Sequence, residues 1–423
     1  MSRKFTWFIF GGMILGAILG AVLNTSLPHA AAVETAGYFS VVTNIFLRLI
    51  RMIIAPLVFS TLISGIAHMG DGAAIGRVGG KTMAWFLAAT MVSLLIGVLM
   101  ANLLHLGSSL HLPLPPVDAA AGVQATLSLK DFFDHVFPAS VVDAMARNEI
   151  LQIVVFSLFA GIAIAATREK VQGLLSLLEQ VSTVMLKITG YVMLFAPAAV
   201  FAALTATVAT EGLGILKTYA AFLGSFYLSL GMLWAVLVLA GVAVVGPRLL
   251  NLLRLVRQPT LLAFSTASSE AAYPRTLEAL ETFGVSNRVA SFVLPLGYSF
   301  NLDGSSMYTT FATLFIAQAY GIHLGAGQQA LMVLMLVLTS KGIAGVPRAS
   351  LVVIAATLTS FNIPAAGLLL ILGIDHFLDM GRSATNVVGN SIAAAAVAKW
   401  EGQLRAEGED APILLEAEAA RSR

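Results

Sequence analysis

Apolar residues run through this chain in stretches too long and too uniform for the core of a water-soluble domain. The pattern predicts helical spans near residues 5–24, 43–69, 82–106, 150–167, 176–210 and 216–246. Most approach or exceed the roughly 20 residues that cross a bilayer. From 258 to 400 the pattern changes, because small and polar residues interrupt the apolar segments. The interruptions are FSTASSEAAYP (264–274), GYSFNLDGSS (297–306) and SKGIAGVPRAS (340–350). Backbone cannot unwind against lipid, where unpaired amide groups each cost several kcal/mol, but it can unwind where it is buried or lines a cavity. Two Ser/Gly-rich breaks flanking a broken helix are the pattern of re-entrant hairpins that meet near the membrane midplane.

Within this territory Asp375, Asp379, Arg382 and Asn386 stand at i, i+4, i+7 and i+11, which on a helix makes one narrow polar stripe. LLLILGI precedes it and SIAAAAVA follows it, apolar on every face. A charge at that depth costs roughly 2.5–3.5 kcal/mol on insertion scales. The stripe must therefore face a protein interior or a water-filled cavity, and such stripes hold a charged solute or an ion.

Composition fits a polytopic all-α membrane protein. Of 423 residues 58% are hydrophobic and 11% charged, against roughly 25% charged in soluble domains. The net charge of +2 gives no footprint for nucleic acid, and the absence of cysteine excludes disulfides and thiolate chemistry. The opening SRKFTWFIFGGMILGAILGAVL, with Ala30–Ala32 behind it, has the outline of a cleaved leader. Further spans follow, so a retained first helix is preferred, with Gly12, Gly16 and Gly20 as a close-packing face. Arg3, Lys4, Arg77, Lys81, Arg168, Lys170, Arg248, Arg254 and Arg257 all fall on one side if the amino terminus is cytoplasmic. The loop from Gly107 to about Asn148 reads as an interfacial excursion, and the tail 403–423 as polar and mobile.

Several motifs carry candidate chemistry. In Asn301-Leu302-Asp303-Gly304, unwound carbonyls and the Asp303 carboxylate suit a hard monovalent cation; the plainer reading is a turn between two helices. Arg382 offers a planar fork for a carboxylate, Asp379 an acceptor for an ammonium group, and Asn386 neutral hydrogen bonds. The plainer reading is an Asp–Arg pair that holds helices together, and for Asp375 alone the two stand level. Ser268 and Ser269 at a half-helix start suit a carboxylate. Glu270 beside them is either a proton carrier buried in the membrane or a glutamate in water at a hairpin tip. His376 is preferred as a packing residue over a titrating one. No metalloprotease, P-loop, dinucleotide or nucleophile-elbow motif stands in a supporting context, which leaves no sign of ATP drive or hydrolysis.

With these residues in view the chain resembles the dicarboxylate/amino acid:cation symporters, the glutamate transporter homologues, from about residue 5 to 402. LPLGYSFNLDGSSMY resembles their unwound seventh helix, SKGIAGVPRAS the tip of the second hairpin, IDHFLDMGRSATNVVGN the eighth helix, and FLRLIRMIIAPLVFSTLISGIA the second. The resemblance implies eight transmembrane helices plus two re-entrant hairpins in inverted repeats, working as an elevator in a homotrimer. The implied division is scaffold at 1–80 and 108–213, transport domain at 81–107 and 214–402, and a cytoplasmic tail. Both termini would be cytoplasmic, in a bacterial inner membrane. Residue by residue it implies substrate contacts at Ser268, Ser269, Ser305, Gly345, Val346, Asp379, Arg382, Ser383 and Asn386. Cation ligands would come from Gly297, Ser299, Asn301, Asp303, Thr90, Asn386 and Asn390, and from backbone at Ser340, Lys341 and Ile343. The coupling ion is a proton, sodium or both, with no other cofactor.

The chain departs from that pattern in places. Asn390 stands where the family closes with an aspartate, and Phe86, Ala89 and Thr90 stand where hydroxyl-rich positions usually serve a sodium site. Glu270 replaces a serine, and Ala267 and Met380 stand where many members carry an arginine. These changes lean towards proton coupling with Glu270 as carrier. SSE, GYSFNL and SKG resemble the C4-dicarboxylate carriers, but Asp379 would repel a dianion, so L-glutamate and L-aspartate are preferred to succinate, fumarate or malate. An anion channel lined by the same stripe is the rival outside this class, and a membrane enzyme lacks a nucleophile–base pair. Arg348, at a usual glycine on the second hairpin, is expected to stand in for the missing arginine. Arg348→Gly should then raise the substrate Kd and slow transport; unchanged values of both would contradict the assignment.

Overall fold

The computed structural model describes residues 3–69, 72–105, 107, 137–167, 169–212, 219–339, 349–372 and 374–405. Ser340, Lys341, Ile343, Gly345, Val346 and Arg348, most of the predicted excursion, and the tail beyond 405 lie outside the described residues. Among those described the chain is all helical, with no strand.

The first group of helices is α1 (Arg3–Ser26), α2 (His29–Met69), α3 (Gly72–Leu104), the short α4 (Val141–Arg147), α5 (Ile150–Ala166), α6 (Gln172–Val192) and α7 (Ala196–Glu211). Then come α8 (Ala220–Val245), α9 (Leu249–Thr266), α10 (Ser269–Phe283), α11 (Asn287–Phe300), α12 (Asp303–Ala319), α13 (Ala326–Thr339), α14 (Ala349–Ser360) and α15 (Asp375–Trp400). By length and hydropathy Gly76–Leu104 and Ala220–Val245 each suffice for a span, and the bent pair α6 and α7 makes a third candidate. Shorter apolar stretches include Gly11–Ser26, Met52–Ala67 and Gln152–Ala166. Two predicted starts differ: α3 begins ten residues before 82 and α2 reaches back to His29, because exposed polar residues such as Glu34 and Arg77 are compatible with a helix that extends past its apolar stretch.

Packing divides into two groups. α1 lies on α7, and α2 packs against α5, α6 and α7. Around α15 gather α8, α9, α10, α11 and α12, with α3 laid along α12. The groups meet mainly where α11 and α10 touch α2. α15 is buried on every side from Met380 to Ala398, so its all-round apolar composition marks a central helix and not a lipid-facing one. Its run of alanines lets neighbours approach closely.

The glycine face of α1 behaves as its spacing predicts. A Cβ at Gly12 would lie 2.8 Å from the Pro197 carbonyl oxygen, one at Gly20 2.7 Å from Val208 Cβ, and one at Gly16 would strike the Phe201 carbonyl. The backbones are in contact, and only a missing side chain permits that.

The carboxyl end of α15 is clasped. Glu401 pairs with Lys81 at 2.6 Å and Arg77 at 3.1 Å. Burial opposes its charge, but the Lys81 and Arg77 hydrogen bonds outweigh burial and hold the carboxyl below its ordinary range. Just beyond, the Ser286 amide donates to the Gln403 carbonyl at 3.1 Å, the Arg405 amide to Gly284 at 3.0 Å, and Arg248 Nη1 to the Arg405 carbonyl at 2.8 Å. The expectation of a mobile tail from residue 403 is therefore corrected for 403–405: the free backbone groups at the foot of the α10–α11 pair recruit them.

Gly16→Val is expected to cost about 1–3 kcal/mol of stability through overpacking. Gly11→Val, where an added Cβ meets nothing within 4 Å, should cost almost nothing. Thermal unfolding of the two purified variants checks this, and equal effects would contradict the packing.

Candidate functional site

Two interrupted helices bring polar chain ends against α15. After α9, Ala267 adopts a left-handed conformation (φ 48°) and Ser268 an extended one, and the Ser268 hydroxyl accepts from the Ala271 amide at 3.3 Å. Serine is a strong N-cap for this reason, so α10 starts at Ser269 with Glu270 in its first turn. The second break is Asn301–Leu302, both outside helical geometry, which starts α12 at Asp303. A carboxylate there is favoured by the helix dipole.

Arg382 is 1% exposed, two turns into α15. Its Nη2 lies 3.1 Å from Asp375 Oδ1 and 3.0 Å from Asp379 Oδ1. The guanidinium carbon sits 4.2 Å from the centre of the Tyr308 ring, a cation–π contact strengthened by desolvation. The Tyr308 hydroxyl donates to Asp375 Oδ1 at 3.3 Å. Both carboxylates meet the same nitrogen, while Arg382 Nε and Nη1 are buried without a hydrogen-bond partner. Leaving charged donors unsatisfied in the interior is costly. Asp375 is sealed at 2% side-chain exposure, whereas Asp379 is 32% exposed. The fork thus has one nitrogen engaged by both carboxylates and two diverging donors without partners, beside a carboxylate open enough to take a cation.

One turn further along, Asn386 Oδ1 accepts from the Gly304 amide at 2.9 Å and Nδ2 donates to Ser305 Oγ at 3.3 Å. Asn301 Nδ2 donates to Asp303 Oδ2 and to Asn390 Oδ1, both at 3.0 Å. Ser93 of α3 donates to Asp303 Oδ1 at 3.3 Å. Asn301 Oδ1 and Asn390 Nδ2 are buried without partners. A Cβ at Gly389 would strike the Asp303 carboxylate, and one at Gly297 would strike the Asn390 amide. Glycines at both positions are thus conditions for the cluster.

Among the sequence-predicted residues, Gly297, Asn301, Asp303, Asn386 and Asn390 share one cluster, with Ser305 joined through Asn386. Asp379 and Arg382 are paired next to it, Ser383 is buried on α15, and Ser299 and Thr90 are buried in α11 and α3. Ser268 and Ser269 stand at the α10 start, which packs against α15. Glu270 lines a small void with Ile54, Val58, Tyr273 and Tyr298, on the side of α2. His376 is half-buried, its ring 6.2 Å from that of its chain neighbour Phe377 in an edge arrangement. Sequence reasoning missed Ser93 and Tyr308. Ser93 follows Thr90 by one helical turn, a spacing that points the same way; for Tyr308, five residues after Asp303, no spacing signal exists.

Neutral amides and hydroxyls around a buried carboxylate, next to an arginine with unpartnered donors, are chemistry that could hold a small acid and a cation. The chain belongs to the sodium:dicarboxylate symporter family, whose model matches residues 5–400. It is thus a transporter that couples a solute to a cation across a membrane, and not an enzyme. A proton/sodium-glutamate symport protein of Bacillus caldotenax is 39% identical over 408 residues, covering 95% of each chain. A proton/glutamate-aspartate symporter of Escherichia coli (strain K12) is 39% identical over 410 residues, covering 93% of this chain and 92% of that one. A C4-dicarboxylate transport protein of Rhodospirillum rubrum is 37% identical over 409 residues, covering 95% and 90%.

Removing one partner of a buried ion pair costs about 3–5 kcal/mol, and Asp379 would still serve Arg382 after loss of Asp375. Asp375→Asn is therefore expected to cost up to about 3 kcal/mol of stability, and Asp379→Asn, about a third open to water, clearly less. Thermal unfolding in detergent checks the order; the reverse order would contradict it.

Proposed function

We propose that the chain imports L-glutamate and L-aspartate with protons, sodium or both. The observation that carries this reading is the Asp379–Arg382 pair: the partly exposed Asp379 beside an Arg382 fork with Nε and Nη1 unpartnered. The distal carboxylate of an acidic amino acid would take one of those two donors, which point to different sides of the guanidinium, and its ammonium group would take Asp379. Ser383, Asn386, Ser305 and the serines of the α10 start would complete the polar lining.

A C4-dicarboxylate is the second reading, favoured by relatives named for it at nearly the same identity as those named for glutamate. A dianion brings no ammonium for Asp379. Two like charges about 4 Å apart repel by about 4 kcal/mol at an effective dielectric of 20, which supports the amino acid.

On the cation side, Asn301 Nδ2 bridges Asp303 Oδ2 and Asn390 Oδ1, a place where a cation between the same two oxygens would sit. Asn390 supplies no charge there, so sodium would be held more weakly than by a second carboxylate, and protons become the leading coupling ion. Glu270 is the proton carrier in this reading. The two packing groups support a scaffold of α1, α2, α5, α6 and α7 and a transport domain of α3 and α8–α15, moving as an elevator. Eight spans, two hairpins, a homotrimer and cytoplasmic termini in a bacterial inner membrane belong to the same proposal.

Uptake of radiolabelled L-glutamate into proteoliposomes tests it, with a proton gradient compared with a sodium gradient and succinate as competitor. Saturable, gradient-driven uptake that excess succinate does not block is expected; Asp379→Ser should abolish it, and Glu270→Gln should flatten its pH dependence while substrate still binds. Succinate transport without glutamate transport would establish the second reading, an unaltered pH profile would remove Glu270 from its role, and non-saturating flux would indicate a channel.

A further inference from the structure

On the far side of α15 from the Arg382–Asn386 stripe lies an open groove of about 790 Å³, walled by α8, α9 and α15. At 100° per residue the α15 positions that line it, Gly381, Ala384, Thr385 and Val388, face roughly opposite to Asp379, Arg382 and Asn386. α8 contributes Tyr227, Leu230, Gly231 and Trp234, one stripe at helical spacing. The polar atoms of the inner wall are already used: the Tyr227 hydroxyl donates to the Phe377 carbonyl at 2.6 Å and Trp234 Nε1 to Thr385 Oγ1 at 2.8 Å. What remains for an occupant is carbon, the partnerless hydroxyl oxygen of Thr260, and the guanidinium of Arg257.

A groove of this size with so apolar a lining calls for an apolar occupant and not for water. Its volume lies within the roughly 300–1,000 Å³ of sites for medium-sized organic ligands. In a membrane protein the apolar material at hand is acyl chain. Arg257 and Arg254 are exposed on α9, as are Leu250 and Leu255. In a bilayer a cation beside exposed apolar side chains extends towards phosphate and headgroup oxygens. One apolar groove with a basic rim matches one amphiphile with an acidic end.

We propose that this groove is a binding site for an anionic phospholipid of the surrounding bilayer, with an acyl chain between Gly231, Phe264 and Ala384 and the phosphate on Arg257. The lipid then forms part of the back wall of the helix that carries the substrate stripe. Through Tyr227 on Phe377 and Trp234 on Thr385, its presence bears on the shape of α15 next to Arg382.

Native mass spectrometry of the full-length protein, titrated with phosphatidylglycerol or with phosphatidylcholine of identical chains, tests this without reference to any transport activity. Failure of the glutamate reading would leave the result untouched. One basic residue near an anionic lipid surface is worth about 1 kcal/mol, so the wild type should retain phosphatidylglycerol about five-fold more tightly. Gly231→Leu is the filling variant, because an added Cβ there meets nothing within 4 Å; it should lose the tightest lipid adduct of either kind. Arg257→Gln should keep the adduct and erase the preference between headgroups. An undiminished adduct in Gly231→Leu, no headgroup preference in the wild type, or a detergent molecule that phosphatidylglycerol does not displace would each overturn the proposal. If Gly231→Leu does not fold, Arg257→Gln and the wild type decide the matter by the headgroup ratio.

Discussion

A guanidinium buried to 1% exposure in the middle of an apolar bundle is the constraint on which this structure turns. Desolvating that charge is worth several kcal/mol against folding. Asp375, Asp379 and the Tyr308 ring offset it. The two carboxylates come from α15 itself, but the Tyr308 ring comes from α12, so α12 has to run beside α15, and it starts there because the chain breaks at Asn301–Leu302. The same break puts Asp303 within reach of Asn301 and Ser93. One buried cation thus organises the acid site and, through the helix start it requires, the neighbouring oxygen cluster.

Compensation for Arg382 is incomplete by design of the geometry. Both carboxylates crowd one nitrogen and leave the other two nitrogens unbonded. A purely structural pair would use the fork bidentately, since two parallel bonds are the stronger arrangement. A receptor that must bind and release its solute benefits from donors held open, and from one partner, Asp379, exposed enough to change allegiance. In the proposed reading a bound ligand satisfies such a donor and offsets the cost of leaving it unbonded.

Much of this was legible along the chain because membrane helices punish misplaced polarity. The stripe from Asp375 to Asn386 stood out against LLLILGI and SIAAAAVA, and its burial followed. Gly12, Gly16 and Gly20 declared a packing face by spacing alone, and α7 fills it. The breaks at 267–268 and 301–302 were marked by Ser, Gly and Asn, which have local hydrogen-bonding alternatives to helix. What could not be read depends on contacts between distant elements. Ser93 looks like an ordinary small residue until α3 lies along α12, and Tyr308 looks like core until Arg382 stacks on it. Gln403–Arg405 read as tail because their partners are backbone groups of Gly284 and Ser286, which carry no signature in residue type. The lining of the groove behind α15 likewise belongs to three helices and has no local pattern of its own.

The most direct measurement of the central claim is a structure of the protein with L-glutamate bound. The account predicts the side-chain carboxylate of the ligand on one open nitrogen of Arg382, Nε or Nη1, the ammonium group on Asp379, and the Asp375–Arg382 contact retained. A ligand seated away from Arg382, or one whose ammonium group ignores Asp379, would contradict it.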